Sequence, residues 1–355
     1  MARPIKFNQL PDQRFDERDT LFARMNRSAG TEPYNDYYQR RPELQDIDDR
    51  LRSMPALLDP EGLYYDQEIM TRTGQYFADI DKIEVDHEFV CDWSVKLTAA
   101  RDKSTLIKKL TRQLGAVAVG FCELDQEFIY TQKGRFDHDY GRNIELDHPR
   151  MIVFLVEMDY QRMQRAPKAD TFLESARQYY RAAVISRTVA AILEQSGYPA
   201  KAHYDAHYDL ILPPLAIKAG LGELGRNNIL IADKYGSRVR IGAVTTALPL
   251  CPDHPVTLGA RHFCEICRKC VRRCPPKALA LGEKETVRGV DKWPTKVEKC
   301  YTYWRRVGTD CGLCMAVCPF SHRNSWLHNL VRLFIRHFPI LHRPARWLDD
   351  LIYGR

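Results

Sequence analysis

No stretch of 18 consecutive apolar residues occurs in the 355-residue chain, which excludes an ordinary membrane-spanning helix. The opening MARPIKFNQLPDQRF has neither an apolar core nor a twin-arginine pair, so it predicts no export signal and a cytoplasmic location. Charge of one sign is not concentrated. The 53 Lys+Arg stand against 46 Asp+Glu for a net +7, which permits an anionic partner without demanding one and gives no reason to expect DNA. With 20 Pro, 19 Gly, 45% hydrophobic and 28% charged residues, the composition excludes a disordered, collagen-like or coiled-coil chain. The length fits two globular domains, or one with an appended module. Cysteine, by contrast, is plentiful: 11 residues, which in a reducing compartment point to metal or redox chemistry more than to disulfides.

The cysteines divide the chain. Cys91, Cys122 and Cys251 are scattered, whereas the other eight fall between Cys264 and Cys318, so residues 255–321 read as one module. Residues 1–100, rich in Asp, Arg and Tyr with Pro55, Pro60 and Gly62 as punctuation, predict an N-terminal covering region of short helices and loops. Residues 101–254 predict an α/β core. It has a helix over 104–114, buried strands at GAVAVGF (115–121) and MIVFLVE (151–157), and a strand within RVRIGAVTTALPL (238–250). Its clearest helix covers about 171–196: Thr171 and Glu174 have capping-box spacing, Gly197 and Pro199 supply the stop, and an apolar side faces the sheet.

Cys264, Cys267, Cys270 and Cys274 read C-x2-C-x2-C-x3-C-P with Pro275. Three thiolates at these steps can hold one corner of an iron-sulfur cube while the fourth reaches a second cluster. Cys300, Cys311, Cys314 and Cys318, with Pro319, repeat the ending after a stretched first gap. The crossover rule then assigns Cys264, Cys267, Cys270 and Cys318 to one 4Fe-4S cluster and Cys300, Cys311, Cys314 and Cys274 to the other. Structural zinc is the alternative, since two four-coordinate sites also use eight thiolates.

Gly220, Gly222 and Gly225 spell G-x-G-x-x-G. A dinucleotide site needs a strand before and a helix after, and here an Ala-rich segment containing Pro213 and Pro214 precedes while NILI follows. A tight structural turn and close backbone approach to a large cofactor remain, and the second is the expectation. His138 and Gly141 match half of a D-x-H-x-x-G cobalt-ligand signature, but Phe136 stands where its Asp belongs. His138 is therefore expected in a loop or on the surface.

AGLGELGRNNILI, then YGSRVRIGAVTTALPL, then the two cysteine motifs resemble the catalytic subunits of reductive dehalogenases over roughly residues 100–320, and more weakly at DERDTLFARM. Epoxyqueuosine reductases share much of this plan, but Glu223, Leu224 and Arg226 side with the dehalogenases. The resemblance implies a nitroreductase-like α/β core holding a base-off corrinoid (cobalamin), fed by two 4Fe-4S clusters in a bacterial ferredoxin-like module. It implies removal of halide from an organohalide. A tyrosine, Tyr180 or its neighbour Tyr179, would supply the proton, helped by Arg240 or Arg238. His207 falls at a further pocket position, and Asp205 and Asp209 fall near the carboxylate acid of epoxyqueuosine reductases. Gly220, Leu221, Gly222, Glu223, Gly225, Arg226 and Asn227 would form the cofactor-contacting wall. The chain shows no fused flavin or ferredoxin reductase domain, so the expected donor is a separate flavodoxin or ferredoxin. The alternatives are a non-halogenated substrate, including a modified tRNA base, and an electron-transfer protein without corrinoid.

In the tail, 322–355, Trp326, Leu327, Leu330, Val331, Phe334, Ile335, Phe338 and Leu341 recur at helical spacing. The Arg residues at 323, 332, 336, 343, 346 and 355 face only Asp349 and Asp350. The expectation is a helix packed on the ferredoxin-like module or a second subunit, as in a homodimer, with a helix lying on a membrane surface as the alternative. Pro339 and Pro344 are expected to break it.

Overall fold

In the computed structural model, which describes residues 13–100 and 102–354, MIVFLVE forms the strand Arg150–Glu157. The leader reading at residues 1–12, and Arg355 of the tail, lie outside the described residues. The strand lies inside an antiparallel sheet ordered Ala118–Glu123, Arg150–Glu157, Val239–Thr246, Ala200–His203. Alternation explains its unbroken apolar sequence, because successive side chains point to opposite faces and both faces are covered. Ile152, Phe154 and Val156 enter one core with Trp93, Leu97, Ile107, Leu110, Ile185 and Val189. Met151, Val153 and Leu155 enter another with Leu210, Leu215 and Ile217. Gly242 is cross-strand from Phe154, and a Cβ there would come within 2.4 Å of the ring; the missing side chain makes room for the aromatic one.

The helices His87–Ala99, Lys103–Gln113 and Ala169–Gln195 cover the first face, and Leu212–Lys218 covers the second. Part of the Asp in the first hundred residues has a local purpose, since Asp66 and Asp86, like Asp102 just beyond, each accept a backbone N–H three residues on at a helix start. Short helices and loops do occupy this region, including Glu32–Arg40, Pro42–Arg52 and Gln67–Asp79. They reach across the molecule: Arg24 pairs with fully buried Asp48 at 2.6 Å and with Glu298 at 3.2 Å. Leu63 and Tyr64 donate backbone N–H groups to the carbonyls of Arg306 and Val307. The N-terminal region therefore clasps the cysteine module.

Three local expectations change. The first strand starts at Ala118 because Gly115, with φ +110°, ends the preceding helix and two connecting residues follow. No capping box forms at Thr171 and Glu174. The helix begins at Ala169, the Thr171 hydroxyl donates to the Arg162 carbonyl at 3.2 Å, and the Glu174 carboxylate accepts the Asp159 backbone N–H at 2.7 Å. The tail forms two helices, Trp326–His337 and His342–Tyr353, with Pro339 in the turn between them. Pro344 breaks nothing, because it lies in a first turn whose N–H groups have no intrahelical acceptor.

Candidate redox site

The helix Ala260–Cys267 carries Cys264 and Cys267, and a left-handed Arg268 turns the chain into the short helix Lys269–Arg272 bearing Cys270. In the second motif the helix Val297–Val307 carries Cys300, and left-handed Cys311 and Gly312 lead into Leu313–Ala316 with Cys314. The stretched gap is thus most of a helix and its turn.

The thiols sort by mutual influence. Burial first, then Cys318, Cys270 and Cys267, raise the Cys264 thiol well above its ordinary range. Burial and then Cys274 push Cys300 up to about 11. Cys311 rises to about 12 through burial, Asp310, Cys300 and Cys274. Cys274 thus lies among the thiols of the second motif and Cys318 near those of the first, while Cys270 and Cys314 adjoin each other across the two sets. Among the described residues no three Cys, His, Asp or Glu side chains converge tightly enough for a single metal ion. Cys264, Cys267, Cys270 and Cys318, together with Cys314 of the second motif, instead line one cavity with Arg226 and Asn227. Eight thiols gathered in one module fit clusters that take thiolates.

The glycine segment belongs to this module's wall. It follows a helix and opens the small hairpin Glu223–Leu224 and Leu230–Ile231, the reverse of a dinucleotide site. A Cβ on Gly222 would lie 2.3 Å from the Ile231 carbonyl oxygen, and one on Gly220 would lie 2.6 Å from that of His254. The close approach that requires these glycines is to the chain itself. Leu221 is buried in the core, and Gly225 lacks space for a Cβ beside Asn227 and Ile231. Buried Glu223 accepts the Ala260 N–H at 2.7 Å and the Arg261 N–H at 3.4 Å, so it caps the first cluster helix. Burial raises its pKa. Arg226 donates to the carbonyls of Cys264, Ala280, Leu281 and Gly282 and lies 4.3 Å over the Trp293 ring. Asn227 donates to Cys314 O at 3.5 Å.

Of the two candidate tyrosines, Tyr179 has the cation. The Arg240 guanidinium lies 4.7 Å from its ring centroid and donates to Ser175 Oγ at 2.7 Å and Asp310 Oδ2 at 3.1 Å. Ser175 also donates to Asp310, and Asp310 directly precedes Cys311. Burial raises the Tyr179 phenol to about 12, Arg240 opposes the rise, and Asp205 and Asp310 add to it. Burial also raises Asp205, against the pull of Arg135, Arg240 and His207. Tyr180 instead packs on Tyr76 at 5.7 Å. Arg238 is fully buried and donates to Ser321 O at 2.6 Å, Glu157 Oε1 at 3.1 Å and Met158 O. Both thus make packing or main-chain contacts here, away from the Tyr179–Arg240 pair. Asp209 is buried between Lys133, at 2.6 Å, and Lys201, which hold it down to about 2 against the cost of burial. His207 pairs with Asp81 at 2.8 Å between the rings of Phe136 and Tyr204, and burial lowers its pKa. His138 is exposed in the turn Asp137–Asp139, as expected.

Arg135, Tyr208, Ser175 and Asp310 were not legible as members. Burial raises Tyr208 too, with Arg135, Asp205 and Tyr179 as its charged neighbours. Only Asp310, placed against a cluster cysteine inside the stretched gap, offered a signal.

Residues 263–322 match the 4Fe-4S dicluster domain family, and with the eight thiols this defines a dicluster iron-sulfur protein. The chain is 29% identical over 303 residues to tetrachloroethene reductive dehalogenase of Desulfitobacterium hafniense, covering 72% of this chain and 54% of that protein. A match of the same identity and coverage is the tetrachloroethene reductive dehalogenase of Dehalobacter restrictus. Epoxyqueuosine reductase of Lactococcus garvieae is 32% identical over 127 residues, 32% of this chain and 33% of that protein. Among solved structures, the catabolic reductive dehalogenase NpRdhA superposes with a TM-score of 0.74 at 24% identity, over 99% of this chain and 48% of that one. The chain is similar to reductive dehalogenases, and over a shorter stretch to epoxyqueuosine reductases, and has a mixed α/β dehalogenase-like fold with a C-terminal dicluster domain. It spans about half the length of the dehalogenases it matches.

Proposed function

We propose that this chain forms the catalytic core of a cytoplasmic, corrinoid-dependent reductive dehalogenase that removes halide from an organohalide. The observation that carries the reading is the continuous arrangement Tyr179, Arg240, Asp310, Cys311: a proton donor and its cation joined to a cluster ligand. Arg240 Nε and Asp310 Oδ1 are buried without a hydrogen-bond partner, orphaned polar atoms that suit a bound group at this place. A corrinoid would supply a reducing cobalt centre for breaking the carbon-halogen bond, and exposed His138 suits the base-off form that needs no ligand from it.

The chain's own residues handle the proton. Tyr179 Oη keeps its proton at neutral pH, because burial disfavours the phenolate. Arg240 stabilises the phenolate left after transfer, and Asp310 and Ser175 hold the guanidinium in place. Electrons enter from a separate flavodoxin- or ferredoxin-type donor. One observation favours a second reading: Asp205, a carboxyl raised by burial beside Tyr179, is a credible acid for an epoxyqueuosine-reductase-like reduction of a modified tRNA base.

The deciding experiment is anaerobic purification with corrinoid, then halide release from a panel of brominated and chlorinated phenols under a strong chemical reductant. Corrinoid absorption with halide release is expected. Full iron content without corrinoid uptake would leave an electron-transfer protein. Bound corrinoid that reduces an epoxyqueuosine-containing tRNA stem loop but no halide would select the second reading.

A further inference from the structure

The two tail helices rest on the cysteine module through a small polar set. Lys269, between two cluster ligands, pairs with Asp349 and Asp350, His322 pairs with Asp349, and Arg332 donates to the Phe320 and His322 carbonyls. Ile335 and His342 are buried beside them. Most of the apolar tail stays outside. Trp326 is 77% exposed, Ile340 84%, Trp347 66% and Leu351 66%, with Leu330, Leu333 and Phe338 also exposed. Trp326, Leu330 and Leu333 follow i, i+4, i+7 spacing, so they form one outward stripe. The expected helix packing is therefore only half of what occurs.

The charge on this surface has one sign. Asp349 and Asp350 are the only acidic residues of 322–355, and both are tied to Lys269, His322, Arg272 or Arg346. Arg336 and Arg343 are exposed and make no ion pair among the described residues. A groove beside Trp347 is lined by Arg268, Arg272, Arg343 and Arg346. Its two carboxylates, Glu265 and Asp350, are already paired, Glu265 with Lys284 at 2.5 Å. Trp347 thus belongs both to the exposed apolar surface and to the basic groove.

We propose that this helical hairpin docks the protein on an anionic lipid bilayer. Trp326, Ile340, Trp347 and Leu351 would enter the headgroup boundary, and Arg336, Arg343 and the basic groove would meet lipid phosphates. Aromatic and apolar residues beside arginines make up the composition of helices that lie in that interface. No helix among the described residues is long and apolar enough to cross a membrane. Each tail helix has 12 residues, about 18 Å at 1.5 Å per residue against a core of about 30 Å, so the helices lie on the bilayer. The surface then holds the first cluster close to the membrane, since Lys269 lies between Cys267 and Cys270.

The test is sedimentation of the anaerobically purified, cluster-loaded chain with sucrose-filled vesicles. One set contains phosphatidylglycerol and phosphatidylcholine, the other phosphatidylcholine alone. Wild type should sediment with the anionic set and be released by salt. Trp326→Ser, Ile340→Ser and Trp347→Ser combined should weaken binding about tenfold or more, with unchanged cluster absorption showing that the module still folds. Arg336→Gln or Arg343→Gln should each cost about fivefold on anionic vesicles and nothing on neutral ones. Absence of wild-type binding to both sets, or binding that survives the triple substitution, overturns the proposal. A wild-type dimer that the triple variant dissociates, without vesicle binding, assigns the face to a second copy instead.

Discussion

Tyr179 and Tyr180 are neighbours in sequence, yet one helical step of about 100° sends one toward Arg240 and the other against Tyr76. Tyr179→Phe should cost about a hundredfold in turnover, the scale of a positioned acid, while corrinoid and clusters stay bound; Tyr180→Phe should keep activity within a fewfold. Dehalogenation rates of the two variants under one reductant decide this, and equal rates would remove Tyr179 as the acid. Arg240→Lys retains charge but loses the planar fork that reaches Ser175 and Asp310, so it should be impaired but less than Arg240→Ala. Asp209 makes a prediction in pH. Its folded pKa of about 2 lies below the unfolded value near 3.9, so its contribution is complete above the unfolded value and is lost as pH falls through 4 toward 2. Asp209→Asn should flatten acid unfolding followed by circular dichroism in that window. It should also loosen the segment carrying Asp205 and His207, because Lys133 and Lys201 lose their partner.

Among the elements, the crossover reading has the two cysteine motifs exchange their last members, so that each set would be assembled from helices distant in sequence. Cys267→Ser should damage the cluster bound by the first three cysteines. Cys274→Ser should damage the other, despite standing in the first motif, because its thiol lies with Cys300, Cys311 and Cys314. Electron paramagnetic resonance of the reduced variants separates the two signals, and loss of the same signal in both would break the crossover assignment. Glu223 adds a joint between elements. Its carboxylate caps the helix bearing Cys264 and Cys267, so the glycine hairpin is tied to the cysteine module.

For the whole molecule, eight thiols in two sets predict about eight irons and eight sulfides per chain, measured by metal and acid-labile sulfide analysis of anaerobic preparations. Zinc without iron would refute the cluster reading. The N-terminal region closes over the same module. Removing the Asp48 carboxylate leaves buried Arg24 with only the half-buried Glu298 as its ion-pair partner, and Asp48→Ala should destabilise the fold by about 3 kcal/mol. Chemical denaturation followed together by cluster absorption and circular dichroism should show the two signals lost together, since Arg24 also reaches Glu298 in the cluster module.

What sequence alone determined was local or periodic. Thiolate spacing identified the cluster motifs because cluster geometry is imposed over a few residues, and apolar runs located strands buried on both faces because side chains alternate. The Pro213-Pro214 segment before the glycines and the strand-like NILI after them also spoke against a dinucleotide site there. Tertiary structure decided whatever depends on which side chains meet across the chain. It placed Arg240 rather than Arg238 beside Tyr179, brought in Arg135, Tyr208 and Asp310, and closed Asp209 between two lysines. A capping-box spacing at Thr171 and Glu174 was overruled because the Arg162 carbonyl and the Asp159 N–H offered partners from outside the helix. The tail's apolar periodicity did not reveal how much would stay exposed, because the cysteine module covers Ile335, His342, part of Val331 and Ala345 and a few charged partners, and leaves the rest outside. Burial and long-range pairing are properties of the packed molecule.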